Sequence, residues 1–351
     1  MADLTVPQPQ FRLTYDKKDV TAELAPYILQ ITYTDVLEGE SDELEVNIED
    51  KDHRWKNGWF PGKGDKLKLE IGYYGEPLAN MGGFEIDEIE FNGTPDTITI
   101  RALAAGVKEA LRTDNTVAYE DMTLEEIAKA IAKKHGYKLT GKVAESKRTR
   151  KAKRVTQQKE KDLAFLKRLG EAEGVIFSVK DGQLVWHDRD TLDAAKSITV
   201  INRADMLRFT FRTKTATTYK ACEVSYHDPK TKALITHTFK APDVVSGDVL
   251  KLNQRCESKE EAVIKAAAAL RNSNGKQVEG NITLYGNQKL RAGCNIEVKG
   301  LGLLDGGYQI LKARHSMERG RGYTTEIELS TSTSQNKSLK NLRNNKRVVK
   351  Q

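Results

Sequence analysis

The side chains in this 351-residue sequence that could do chemistry are few and scattered. Its six histidines are His53, His135, His187, His227, His237 and His315. None falls in a His-Glu-x-x-His helix or in the close pairing that a tetrahedral zinc site demands. His227 and His237 can face each other across one hairpin, but no thiol or carboxylate cluster accompanies them, and they read as solvent-facing. Cys222, Cys256 and Cys294 are odd in number and far apart, which argues against a disulfide framework and against a Cys-x-x-Cys metal knot; they read as semi-buried thiols. The run Gly300-Leu301-Gly302-Leu303-Leu304-Asp305-Gly306-Gly307 has the wrong spacing for a nucleotide-binding loop, and no helix follows to hold a pyrophosphate, so it reads as a turn between strands. Asp87 with Glu88, and Glu171 with Glu173, are ordinary neighbours in a chain with 50 acidic residues. No Gly-x-Ser-x-Gly elbow occurs. No catalytic, cofactor-binding or metal-binding residue is assigned, no cofactor is expected, and the chain reads as a non-enzyme.

The formal charge is +7, and much of it lies in SKRTRKAKR at 146–154 and in the tail SLKNLRNNKRVVKQ at 338–351. Clustered Lys and Arg can release counterions from nucleic acid. Neither run interleaves aromatics for base stacking, which favours a solvated loop and a frayed terminus. No window approaches a membrane span, and MADLTVPQPQ has neither a basic nor an apolar leader region, so a cytosol-like compartment and no membrane anchor are expected.

The fold class expected is mainly β with α+β insertions: two small antiparallel β-barrels plus a helix-containing domain. A chain this long exceeds one ordinary core. Residues 1–105 read as a first barrel, with alternation in Leu44–Ile48, Leu67–Ile71 and Ile98–Ile100 and turns at Pro61–Asp65 and Asn92–Asp96. Trp55, Trp59 and Phe60 are expected to plug one end of it. Residues 106–196 read as α+β. Thr123-Leu124-Glu125-Glu126 is a capping box opening a helix closed by Gly136, and Leu163, Leu166 and Leu169, with Phe165, form the apolar stripe of a second helix closed by Gly174. A hairpin follows, Val175–Lys180 and Gln183–His187 joined by Asp181-Gly182, a dipeptide tolerant of positive φ. Residues 197–331 read as a second barrel, continued by Ala221–His227 and Ile235–Phe239 and interrupted near 241–277 by a helix that opens at Ser258-Lys259-Glu260-Glu261. Residues 332–351 form a basic tail.

The stretch QQKEKDLAFLKRLGEAEGVIFSVKDGQLVWH at 157–187 resembles the signature of phage late control protein D, a contractile-tail baseplate hub family related to the base of type VI secretion VgrG spike proteins. DKDHRWKNGWFPGKGDKLKLEIGY (50–73), GGFEIDEIEFNGTPDTITIRALA (82–104) and GNQKLRAGCNIEVKGLGLLDGGYQILKARHSMERGRGYTTEIELS (286–330) are similar to the same family's first and closing barrels. His315 matches a histidine common in the family's closing strand, where the resemblance implies a structural task.

The resemblance implies a structural hub of a contractile phage tail or phage-tail-like bacteriocin. Three chains, each with two similar barrels, would form a pseudo-hexameric homotrimer joining a hexameric tail tube protein to a separate trimeric central spike protein. Only 21 residues follow Ser330, so the spike is expected on another chain. Other baseplate proteins are further expected partners, with DNA passing the ring unbound and the basic tail as an arm that orders against a neighbour. The basic runs are expected to lie away from the lumen. The expected location is the virion tail baseplate or a bacteriocin particle, with the host cytoplasm during assembly. The alternatives are a basic nucleic-acid-binding protein with barrel domains and a tail-tip cell-wall hydrolase.

Overall fold

The computed structural model describes residues 7–104, 113–213, 219–227, 233–241, 247–256, 258–275 and 278–331. The first strand-rich region holds β1 (Pro9–Tyr15), β2 (Lys18–Asp19), the single turn α1 (Thr21–Leu24), β3 (Ile28–Val36), β4 (Glu43–Glu49), β5 (Lys66–Tyr73), β6 (Ala79–Asn92) and β7 (Thr97–Ala104). The alternation at 44–48 works as expected: Leu44, Val46 and Ile48 are buried and their neighbours half-exposed.

The middle region is a ribbon and a small α/β layer. β8 (Asp114–Thr123) leads into α2 (Leu124–His135), β9 (Lys138–Lys142), α3 (Glu145–Arg148), β10 (Lys151–Lys161), α4 (Asp162–Glu173), β11 (Val175–Lys180), β12 (Gln183–Asp188) and α5 (Arg189–Ala194). The capping box is present: Thr123 Oγ1 accepts from Glu126 N at 3.1 Å, and Glu126 Oε2 accepts from Thr123 N at 2.8 Å. Asp181 and Gly182 turn the β11–β12 hairpin at φ 47° and 68°. The ribbon β8–β10 was not evident in the sequence. Its residues are mostly polar and exposed, so it lacks the alternation that marks a half-buried strand.

The last region holds β13 (Ser197–Asn202), β14 (Met206–Thr213), β15 (Tyr219–His227), β16 (Leu234–Lys240), β17 (Asp248–Cys256), α6 (Lys259–Gly275), β18 (Val278–Tyr285), β19 (Asn295–Lys299), β20 (Gly306–Glu318) and β21 (Gly322–Thr331). The strands at 221–227 and 235–239, expected to continue the second barrel, pair instead with each other and with β17 in a separate sheet. Helix α6 supplies the reason: Ala262, Ala266 and Leu270 pack with Cys222, Val224 and Cys256 in a core of their own.

The mainly β architecture with helical insertions holds, but the two strand-rich halves are not separate closed barrels. β20 pairs antiparallel with β3 over seven residue pairs, from Lys312 opposite Val36 to Glu318 opposite Gln30, which merges thirteen strands into one sheet. Two cores nonetheless lie along it, one around Leu44, Leu69 and Phe84 and one around Ile282, Ile310 and Ile327. Cores lined by strands of a single sheet require each half to curl. Closure fails because the first and second strands of each half, which sit at its two ends, are not hydrogen-bonded to each other among the described residues.

The halves share one topology. The main strands are β1, β3, β4, β5, β6 and β7 in the first, and β13, β14, β18, β19, β20 and β21 in the second. Taken in chain order, both lie side by side as one-four-five-six-three-two. The only change of sense is in the one-four pair, antiparallel as β1–β5 and parallel as β13–β19.

Candidate functional site

The residues singled out for chemistry do not converge. His53 is exposed beside Asp96, and His135 is buried with its Nε2 2.7 Å from Asp162 Oδ2. The register places His237 opposite Val224 and His227 opposite Leu234, so this pair does not face across the hairpin. Burial lowers the pKa of His187 and raises that of all three cysteines, Cys222 to about 11, so the thiols stay protonated near neutrality. The run at 300–307 is a short 3-10 turn running straight into β20. Glu88 pairs with Arg101 and Glu173 with Arg150.

Trp55 is buried and meets Trp59 edge-on at 5.7 Å, so part of the expected aromatic plug exists. Trp59 and Phe60 remain 37% and 56% exposed beside a cavity of about 250 Å³, with Phe60 stacked on Phe91. The first part of the basic run at 146–154 is paired within the fold, while Lys151, Lys153 and Arg154 are exposed on β10. Lys147 binds Asp188 at 2.9 Å and Asp190 at 3.1 Å, Arg148 binds Glu125 at 3.0 Å, and Arg150 lies between Glu173 and Glu261. The tail at 338–351 lies outside the described residues.

What the structure does assemble is an internal repeat, matched residue by residue. Gly64 and Gly293 both adopt positive φ, 88° and 87°. Gly64 N donates to Ile86 O at 2.7 Å and Ile86 N to Asp65 O at 2.9 Å; Gly293 N donates to Ile310 O at 2.8 Å and Ile310 N to Cys294 O at 2.9 Å. Gly82-Gly83-Phe84-Glu85-Ile86 thus matches Gly306-Gly307-Tyr308-Gln309-Ile310. The fifth strands bulge immediately afterwards, at Asp87 and at Leu311, and the second strands bulge at Leu29 and at Leu207. Tyr33 meets Phe84 edge-on at 5.8 Å, and their counterparts Phe211 and Tyr308 do so at 5.5 Å. Two similar halves are expected from the sequence, but these equivalences are not. The signal was present in Ile28-Leu29-Gln30-Ile31-Thr32-Tyr33 against Met206-Leu207-Arg208-Phe209-Thr210-Phe211.

The joint between the halves is polar. Lys180, at the end of β11, reaches the carboxylates of Asp35 and Asp42 and donates to Val36 O at 3.0 Å. Burial opposes charge on the amine, but the two carboxylates outweigh it and hold its pKa above the usual lysine value. Burial also pushes Asp42 up to about 6 against the pull of Lys180, with Asp35 adding to the rise. Arg291 donates to Tyr33 Oη at 3.2 Å and Asn80 O at 2.8 Å, and Ala292 N donates to Asp35 Oδ2 at 3.1 Å. Lys180 and the turn at 291–292, both distant in sequence, therefore meet on one strand, β3.

Among the unpaired strand edges of the described residues, two lie at matching ends of the two halves. β14 pairs only with β18, and residues 88–92 of β6 pair only with β7. Leu207 on β14 and Phe91 on β6 expose 49% and 38% of their surface at these edges. Open, partly apolar edges are association surfaces unless they are protected.

This geometry has relatives. The chain is 35% identical over 178 residues to a "Probable baseplate hub protein" of Escherichia phage 186, a match spanning 51% of this chain but only 44% of that protein. The fold is similar to the 43 kDa tail protein of prophage MuSo2 from Shewanella oneidensis, with a TM-score of 0.69, 16% identity, and coverage of 93% of this chain and all of that one. It is also similar to an E. coli type VI secretion component described as resembling T4 phage tail proteins, with a TM-score of 0.53, 13% identity, and coverage of 92% and 76%. The phage tail baseplate hub (GPD) family matches residues 85–320, about two thirds of the chain, and the chain belongs to that family.

Proposed function

We propose that this protein is the structural hub of a contractile-tail baseplate, in which three copies close a ring whose six β halves imitate a hexagon. The observation that carries the reading is the repeated one-four-five-six-three-two strand order, with matched turns and bulges. A ring of three chains with duplicated halves offers six similar surfaces to a hexameric tube and three distinct ones to a trimeric spike, which resolves a symmetry mismatch. The division at residues 105 and 196 follows from this reading: two ring-forming halves and an α/β unit between them. The name of the phage 186 relative, and the likeness of the type VI component to T4 tail proteins, support a place in the virion tail or a similar particle.

The protein acts as a mechanical adaptor without catalysis, and DNA passes its lumen unbound. The ion pairs of Lys147, Arg148 and Arg150 support this, since they commit three of the six basic residues of the run to carboxylates and leave only Lys151, Lys153 and Arg154 exposed to meet phosphates. The test is sedimentation of the full chain followed by imaging of the assembly. A threefold ring with alternating halves is expected. A ring with Lys147–Arg154 lining the channel overturns the unbound-cargo reading, and a particle without alternating halves overturns the adaptor itself.

A further inference from the structure

The joint inside the chain is a template for a joint between chains. The second strand of the first half, β3, lies against the far part of the fifth strand of the second half, β20. The complementary pair is left open: the second strand of the second half is β14, and the far part of the fifth strand of the first half is Glu88–Asn92 of β6. Both fifth strands switch at the same bulge. Before it each pairs with a fourth strand, at Glu85–Lys66 and Gln309–Asn295; after it that flank of β20 is covered by β3, and that flank of β6 is bare among the described residues. Burial reports the difference. His315 is 2% exposed and its counterpart Phe91 is 38% exposed, while Thr32 is 4% exposed and its counterpart Thr210 is exposed.

We infer that β14 of one chain adds to Ile89–Asn92 of β6 in a second copy, in the register that β3 adopts on β20. Carrying the register across the matched positions sets Thr213 opposite Ile89, Arg212 opposite Glu90, Phe211 opposite Phe91 and Thr210 opposite Asn92. The chemistry fits a second copy. On one face a guanidinium meets a carboxylate, and both positions are solvent-exposed in the single chain. On the other face Phe211 and Phe91 take the places of Tyr33 and His315, whose rings stack at 5.9 Å within the chain. The fourth pair corresponds to Thr32 and Ser316, whose hydroxyl oxygens lie 3.5 Å apart. The contact is heterologous, so each chain offers one edge and receives one, and a repeated contact of this kind closes into a ring. This inference rests on the ring reading above and adds which strands meet and in which register.

The experiment uses the full chain carrying Asn92→Cys in one preparation and Thr210→Cys in another. The equivalent pair inside the chain, Thr32 and Ser316, places opposed side chains within disulfide reach. Mild oxidation of the mixture is expected to give a covalent dimer that neither preparation gives alone, and a chain carrying both changes is expected to give a covalent trimer. The native thiols are present in every sample and serve as the control. As a second measurement that leaves the cysteines alone, Glu90→Arg or Arg212→Glu is expected to weaken association by about tenfold, and the two together to restore it. If the wild type assembles but the mixture does not cross-link and the charge exchange changes nothing, this surface is wrong while the ring reading stands. A wild type that stays monomeric at every concentration overturns both.

Discussion

The rings of Tyr33 and His315 stack with centroids 5.9 Å apart and planes 19° apart, across the strand pairing that joins the two halves of the sheet. His315 Nδ1 lies 2.8 Å from the Tyr323 hydroxyl and Nε2 lies 2.9 Å from Leu290 O. A neutral ring fits, with Nε2–H donating to the carbonyl and Nδ1 accepting from the tyrosine. Burial, and then the charge of Arg291, depress its pKa to about 4.

This sets a pH dependence. An unfolded histidine titrates near 6.5, so between there and about 4 the unfolded chain binds the extra proton. The contribution of His315 is full above the unfolded value and is lost as pH falls through the folded one. Asp42 works in the opposite sense: its contribution is full below the ordinary carboxylate value and is lost as pH rises through about 6. Urea unfolding at neutral pH and near pH 4.5 should therefore show His315→Gln to be less acid-sensitive than wild type, by about 2–3 kcal/mol. Parallel pH profiles would refute the assignment.

Lys180→Met should destabilise the fold by about 2–4 kcal/mol, because Asp35 and Asp42, each with a side chain 7% exposed, would lose their shared cation. Acidification toward pH 5 should restore part of the loss as Asp42 takes up a proton. Urea midpoints at the two pH values check both statements.

Gly170→Ala tests packing against propensity. Alanine favours a helix interior over glycine by about 1 kcal/mol. Here a Cβ would stand 2.3 Å from the carbonyl oxygen of Val175 and 3.1 Å from the Phe177 ring, because α4 turns directly into β11. The variant should lose about 2–3 kcal/mol instead of gaining, and a stabilised variant would contradict the close approach.

Arg150→Met should cost about 2 kcal/mol, because Glu173 would lose its guanidinium while facing Glu261, which keeps Lys265, across the contact between α4 and α6. The same run should not retard single-stranded DNA in a gel at about 0.15 M salt. Retardation by the wild type, abolished in a Lys147→Glu variant, would reinstate a nucleic-acid role.

Legibility in the sequence followed the physics of each element. Helix α2 declared itself through Thr123, Glu126 and Gly136, and the β11–β12 hairpin through Asp181-Gly182, because caps and turns are decided by neighbours in sequence. The β8–β10 ribbon stayed hidden because Lys151, Lys153 and Arg154 carry no buried face. The merging of the halves was hidden too. Nothing near Thr34 in sequence announces that Arg314 will pair with it, since strand partners 280 residues apart are chosen by the curvature of the whole sheet. The open edges were legible only after the repeat was aligned, since Phe91 and Phe211 look like ordinary strand aromatics in isolation.

The antiparallel ladder between β3 and β20 also governs how the protein bears load. Tension applied along these strands would strain seven residue pairs together, so they must rupture in concert; only a pull across the ladder could unzip them one by one. Stiffness in that direction comes from the backbone itself, and it would survive most changes of the side chains around it.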